Sequence, residues 1–422
     1  MGIENTLISM RREFHKIAET GWLEFETTTR IIDYLKEMDY KVEYGKAIHG
    51  TRMGLPTKEE MVEHSKNLNL KKDYDISEIL EGYTGAIAKL ETGKPGPTIA
   101  MRFDIDSNGV EESSDPTHIP MLRGFRSKNP SSMHACGHDG HTAIGLGVAK
   151  WIMKNKETLK GNYILIFQPA EEGVRGAHSI VEKNFLKGVD YFLSGHIGMG
   201  VEEGVVALGT TGFLATTKFD IFFKGIPSHA GASPELGRNA LLAASSCALN
   251  LHTLTQFSSG LSRINVGTLV AGSGRNVVPA NAKMQIETRS DNEKTNALLV
   301  EKVNMVVEGS AKTFGVDFEI KPAGSAPAYN TYDQDFVYFI KDSLESSGFR
   351  TTQGLRLGGS EDVAYMLQDV ENTGGKTAYM IFGTNLSAPH HNNLFDFDEN
   401  VLKLAYDAYT KLIDAINEKK SS

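Results

Sequence analysis

Several short apolar segments of this chain each run directly into histidines or carboxylates, and that arrangement limits the folds open to it. "YILIF" leads through "QPA" to Glu171 and Glu172, and "DYFLSG" ends at His196. "TAYMIFG" is followed by a segment that closes on His390 and His391. Between and before them lie stretches with apolar residues at helical spacing, such as "HTAIGLGVAKWIMKN" and "AHSIVEKNF". Strands alternating with helices predict an α/β core on a largely parallel sheet. In open sheets of that kind ligands bind outside the carboxyl ends of the strands, so residues distant in sequence are expected to converge there.

The pattern changes near residue 211. "ATTKFDIFFKG" alternates like a half-buried strand, and a helix is expected through "NALLAASSCALNLHTL". Two more strands, a long helix through "EKTNALLVEKVNMVVEGSAKTFG" and the strand "VDFEIKPAG" complete a βαββαβ-like unit. The α/β character returns near residue 326. The expected organisation is therefore one domain over 1–210 and 326–422, interrupted by a second over 211–325. The first forty residues read as an amphipathic helix pair, and residues 50–80 as a polar excursion.

With 422 residues the chain has room for more than one domain. Its net charge of −9 argues against a nucleic-acid partner, whose phosphates demand basic patches. Cys136 and Cys247, the two cysteines, lie too far apart for a disulfide framework and suit a reducing compartment. The first twenty residues lack the apolar stretch of a signal peptide. "MGIENT" fits a myristoylation pattern formally, but no basic patch follows it. No apolar run approaches the roughly 20 residues needed to span a bilayer. A cytoplasmic protein without membrane or nucleic-acid partners is expected.

"SSMHACGHDGHTA", residues 131 to 143, adds a thiol and three imidazoles to the carboxylates and imidazoles at the strand ends. These side chains are the usual ligands of zinc and similar divalent ions. Cys136 and His138 are two apart, so an extended loop would turn both to one side. Glu171 and Glu172 would then point to opposite sides, one toward a metal and its neighbour toward a reacting water as general base. His134 and His141 read as structural. A zinc-finger site is disfavoured because no second cysteine lies near enough to close a sulfur-rich shell.

"MHACGHDGHTA", "IFQPAEEG", "GHIG", "GIPSHAGASPELGRNAL", "GSGRNVVP" and "HHNNLFDFDE" together resemble the amidohydrolase branch of the M20 metallopeptidases, in order and over nearly the whole chain. The resemblance implies a two-metal catalytic domain with an inserted ferredoxin-like lid that also dimerises. Carried over residue by residue, it makes Cys136, His138, Glu172, His196 and His391 the metal ligands. Glu171 becomes the general base and Asp104 a supporting carboxylate. His229 becomes a lid histidine that polarises the scissile carbonyl in a partner's site. Asn276 and Arg289 become ligands of the substrate carboxylate. The implied cofactors are two divalent ions, manganese ahead of zinc. The implied substrates are N-acyl amino acids, aroylglutamates first. A general aminoacylase is the alternative, and a non-catalytic partner of a related enzyme is a reading of another class. The implied assembly is a homodimer or a heterodimer with a related subunit. Two departures bear on specificity. The branch has His-Ser-Pro where this chain has His391-Asn392-Asn393, and "RFDIDSNGVEE" lacks the usual Ala-Leu-Pro.

Overall fold

A computed structural model describes residues 2–66, 68, 70 and 72–419. The chain divides into two compact units. One comprises Met1–Thr211, Asn330–Leu357 and Tyr365–Ser422, the other Gly212–Tyr329 and Gly358–Ala364. The short segment Gly358–Ala364, which sequence reasoning assigned with its neighbours, belongs to the second unit.

Six strands open the first unit: β1 (Lys41–Tyr44), β2 (Ala86–Glu91), β3 (Thr98–Asp104), β4 (Asn162–Gln168), β5 (Tyr191–Ile197) and β6 (Val205–Leu208). The second unit supplies β7 (Ala215–Lys224), β8 (Ser262–Ala271), β9 (Asn281–Ser290) and β10 (Asp317–Ala326), after which β11 (Arg350–Gln353) and β12 (Lys376–Phe382) return to the first. The first sheet runs β1-β2-β4-β3-β5-β12-β6-β11. It is parallel through β4, β3, β5 and β12 and between β6 and β11, whereas the pairs β1–β2, β2–β4 and β12–β6 are antiparallel. The expected largely parallel sheet is thus a mixed one with a parallel centre. The central strands read as continuous apolar runs because helices bury both faces. In β4 every residue from Tyr163 to Gln168 is buried.

The helix His138–Asn155 packs beside β3 and lies close enough that a Cβ on Gly145 would stand 2.6 Å from the Phe103 ring. Glycine there permits the approach. The expected N-terminal helix pair is present as Ile3–Lys16 and Phe25–Glu37, with Leu7, Met10 and Phe14 in the core. The polar excursion forms two short helices, Lys58–Ser65 and Ser77–Leu80, pinned by Met61 and Ile79. The helix expected through "AHSIVEKNF" covers only Ala177–Val181, and the chain turns through a left-handed Asn184 (φ 59°).

In the second unit the order is β10-β7-β9-β8 with every pairing antiparallel, the ferredoxin-like arrangement of a βαββαβ chain. Phe219, Ile221 and Phe223 alternate inward from β7 to meet Cys247 of the helix Ala240–Leu251 and Leu299, Val303 and Val307 of the helix Glu293–Phe314. Among the described residues, no helix is long and apolar enough to cross a membrane.

Candidate metal centre

The carboxyl ends of β3, β4, β5 and β12 lie side by side, and the loops beyond them bring the acidic and imidazole side chains together. Cys136 precedes Gly137, which adopts φ 93°, and His138 is the first residue of the helix His138–Asn155. The expected extended loop is therefore a sharp turn that only glycine takes without strain. It still sets thiol and imidazole in one cluster. His196 lies inside β5, one residue from its end, rather than beyond it.

Among the described residues several sets of three potential ligand atoms lie within 4.8 Å of one another. Two of them share the thiol: Cys136, His138 and His196, and Cys136, Glu172 and His391. Others join His138 to Asp104 and His141, and to Glu171 and Glu172. His138 donates Nδ1–H to the backbone carbonyl of Asp106 (2.9 Å) and His196 donates its own to the carbonyl of Ile197 (2.8 Å). A carbonyl only accepts, so both rings carry a proton on Nδ1 and turn Nε2 toward the cluster. Such carbonyl partners fix the tautomer and orientation of metal-binding imidazoles. Nε2 of His196 lies 3.4 Å from Cys136 Sγ, and Nε2 of His138 is buried without a hydrogen-bond partner. A buried polar atom left without a partner is costly, and a cation there would supply one. Thiolate, imidazole and carboxylate are the donors a divalent ion of the zinc type takes, so the residues fit one.

His391 Nε2 lies 3.2 Å from Glu172 Oε1. Its backbone is left-handed (φ 66°) and its N–H donates to the Ala135 carbonyl at 2.7 Å, which ties the loop beyond β12 to the segment carrying Cys136. Hydrogen bonds to Cys136 and Glu172 push His391 up to about 10. Burial opposes the Glu172 charge, but His391 and His138 hold this carboxyl down at about 2. Burial and the Glu172 charge push the Cys136 thiol up. Without metal the cluster thus retains protons that a cation would displace. Neighbouring His390 belongs to neither set: its Nε2 accepts from the Met199 N–H (3.3 Å), and its ring lies tilted beside Phe395 and edge-on to His196, with centroids 5.4 Å apart.

Glu171 stands beside these donor sets. Its Oε2 is 3.9 Å from His138 Nε2, and the residue is buried. The two glutamates do not diverge along an extended strand as expected. They sit on a turn after the left-handed Ala170 (φ 51°), where Asp106 Oδ1 and Oδ2 accept the backbone N–H groups of Glu171 (3.0 Å) and Glu172 (2.9 Å). Glu24 Oε1 accepts from Ala170 N (2.8 Å), and Arg175 bridges the Glu172 carbonyl to that of Gly54 (both 2.9 Å). Asp106 and Glu24 were missed by sequence reasoning. The signal for Asp106 is its spacing of two from Asp104, which puts it just past the end of β3.

Asp104 is fully buried and is held by Arg102 Nη1 (2.6 Å) and His141 Nδ1 (2.5 Å). It approaches the donors only at 3.8 Å from His138 Nε2. His141, read above as structural, accepts the Ile197 N–H (3.0 Å) through Nε2 and so links Asp104 to the end of β5. His134 is buried near His15, with ring centroids 6.2 Å apart.

The sequence model of peptidase family M20/M25/M40 matches residues 100–415, the span that holds every one of these donors. The chain belongs to this family. The M20 chain is 43% identical, over 98% of both lengths, to a Haemophilus influenzae homolog of one of the subunits of p-aminobenzoyl-glutamate hydrolase. It is 41% identical to the indole-3-acetyl-aspartic acid hydrolase of Enterobacter agglomerans, over 96% of the chain and 94% of that protein. Among solved structures it superposes on an aminobenzoyl-glutamate utilization protein of Klebsiella pneumoniae with a TM-score of 0.84 at 36% identity, covering 100% and 98% of the two chains. It also superposes on a dinuclear metal-binding M20 peptidase of Bacillus subtilis, with a TM-score of 0.66 at 25% identity and 99% coverage of each.

The remaining expected residues of the M20 chain lie in its second unit. His229 is exposed and pairs with Val277 in a bridge that continues past the strands. Its Nδ1 accepts the N–H groups of Gly231 (3.2 Å) and Ala232 (3.0 Å), so the ring proton sits on Nε2. Asn276 is exposed and its carbonyl accepts from Ala230 N (3.0 Å). Arg289 on β9 forks onto Glu287 through Nε (3.0 Å) and Nη2 (3.2 Å).

Proposed function

We propose that this chain is a metal-dependent amidohydrolase that cleaves N-acyl amino acids, with p-aminobenzoyl-glutamate as its substrate and p-aminobenzoate and glutamate as products. The observation that carries the reading is the pair of three-donor sets sharing Cys136, with the buried carboxylate Glu171 beside them, within reach of His138 and Glu172 but in neither of those two sets. Cys136, His138 and His196 would hold one divalent ion, and Cys136, Glu172 and His391 the other. The family resemblance favours manganese over zinc. When bound, such ions acidify water and polarise the amide carbonyl.

Glu171 takes the proton of the attacking water on a carboxylate oxygen and passes it to the leaving amine nitrogen. The turn fixed by Asp106 and Glu24 aims it. Asp104 keeps His141 and the end of β5 in place and does not touch reacting atoms. His229 presents Nε2–H as a donor suited to a developing oxyanion, and the family resemblance favours a partner's site for it. Asn276 and Arg289 would receive the substrate carboxylate, Arg289 by exchanging Glu287 for it. The Haemophilus relative is named for one subunit of its enzyme, which favours assembly with a second chain, identical or related. A cytoplasmic location fits two unpaired cysteines.

Indole-3-acetyl-aspartate is the second reading, because the relative named for it is nearly as similar as the first. A purely structural subunit would have no need of the full donor set. Chromatographic assay of the manganese-loaded chain against both substrates decides. Release of p-aminobenzoate should exceed release of indole-3-acetate in kcat/KM. The reverse ranking would transfer the assignment, and inertness toward every N-acyl amino acid would remove it.

A further inference from the structure

The helix Ile3–Lys16 contributes no donor to the metal centre, yet Arg11 on its apolar face is fully buried. Its Nε donates to Asp139 (2.8 Å), its Nη2 to Asp396 (2.5 Å) and its Nη1 to Glu399 (3.3 Å). The guanidinium lies between two aromatic rings, 4.8 Å from the centroid of Phe125 and 4.3 Å from that of Phe397. Burying one cation among three carboxylates is expensive and seldom chosen for stability alone. The partners suggest what the arrangement does. Asp139 follows His138 directly, in the first turn of the helix that His138 opens. Asp396 sits at the base of the loop that carries His391, where its carbonyl accepts from Ser387 N (2.9 Å) and Leu386 pairs with Phe397. Arg11 therefore joins the two segments that supply opposite donor sets.

Besides the Phe397 ring, which packs against Gly137 and Gly140, and the His391 side chain, the loop has further ties to that side of the site. They include single backbone bonds, His391 N to the Ala135 carbonyl (2.7 Å) and Ser113 N to the Asn393 carbonyl (3.0 Å). One bond can hold a point without fixing an orientation, and His391 stands in a left-handed conformation that its surroundings must maintain. The Asp139 side of the clamp is reinforced by His15, whose two ring nitrogens reach Asp139 (2.8 Å) and Glu112 (3.0 Å).

We propose that Arg11 is a positioning residue for the second metal ion: it sets the spacing between the His138 turn and the His391 loop, and without it the set Cys136, Glu172 and His391 loses its geometry. The inference rests on the metal reading above, and the test separates the two. The purified full chain, stripped of metal, is titrated with Co2+ while the visible ligand-field bands and the thiolate-to-cobalt absorption are followed. Wild type, Arg11→Lys and Asp396→Asn are compared, and the melting of each metal-free protein is recorded. Wild type should take up two equivalents. Arg11→Lys should keep the first, with its thiolate band, and bind the second about 10–100-fold more weakly, the usual cost of losing a group that orients ligands. Asp396→Asn, which loses only the loop end of the clamp, should show the same selective loss and decides the matter if the lysine variant fails to fold. Folded variants that bind both equivalents as tightly as wild type would overturn the proposal, as would equal weakening of the two. A wild-type chain that binds no cobalt would overturn the metal reading itself and this inference with it.

Discussion

In the first unit Cys136, His138 and His196 are almost wholly buried, and each imidazole is held by a carbonyl that fixes its tautomer. In the second unit His229 stands exposed, its ring accepting the two N–H groups of its own loop. The first arrangement can be recognised from inside the unit, because unpaired donors converge on shared points. The second cannot, since among the described residues no comparable donor set includes His229, Asn276 or Arg289. The role proposed for His229 needs exposure and a defined proton, and His229 has both.

Attacking the buried cluster should do most damage. Cys136→Ser or His138→Ala is expected to lose at least one ion by elemental analysis, together with all measurable turnover. Metal affinity should also weaken as pH falls, because thiol and imidazoles must shed their protons to coordinate. Unchanged metal content in both variants would erase the contrast between the units.

Next in size is His229. His229→Ala should lower kcat by about 10²–10³-fold, as loss of an oxyanion donor does. Its exposed position means that stability should move by no more than about 0.5 kcal/mol. Mixing it with Glu171→Gln under subunit exchange should restore part of the activity, because one site in each hybrid dimer then has both groups. Hybrids that form but stay inactive would confine His229 to its own chain or to no role.

A smaller effect separates the units by pH. Burial disfavours the His15 charge, but hydrogen bonds to Asp139 and Glu112 raise this imidazole from 6.5 to about 9. A raised folded-state value means that its stabilisation is complete below about pH 6.5 and is lost as pH climbs through 9, on the order of a few kcal/mol. Glu112, held at about 2 against burial by His118 and His15, contributes above about pH 4.5 and loses its share as pH drops toward 2. Thermal melts of the metal-free chain should fall between pH 6.5 and 9, and His15→Gln should flatten that fall. An identical slope in the variant would contradict the network. The smallest change is expected at Arg289, where alanine should raise KM roughly tenfold with kcat nearly kept, as removal of uniform binding does.

Much of this was legible in the sequence because strands announce their ends. β4, β5 and β12 are continuous apolar runs, and the polar residues that follow them have to lie at the sheet's edge. The family motifs then distinguished His391 from His390, which spacing alone could not. Local geometry was less legible. "CGH" carries no sign that Gly137 turns left-handed, and "PAEEG" none that Ala170 does, so both segments looked extended. Asp106, Glu24 and Arg11 escaped because their partners come from remote segments. Arg11 left one trace, a charge on the apolar stripe of Leu7, Met10 and Phe14. A buried cation needs fixed partners, and that stripe could have prompted the search for them.

On the proposed function, one turn gives two adjacent carboxylates different tasks, Glu172 holding metal and Glu171 moving a proton. Parallel measurement of bound metal and single-turnover rate in Glu171→Gln and Glu172→Gln tests it most directly. Glu171→Gln should retain two ions and its substrate affinity while losing about 10²–10⁴-fold in rate, the range for removing a general base. Glu172→Gln should lose an ion. Exchanged phenotypes, or two ions retained by both variants, would contradict the account.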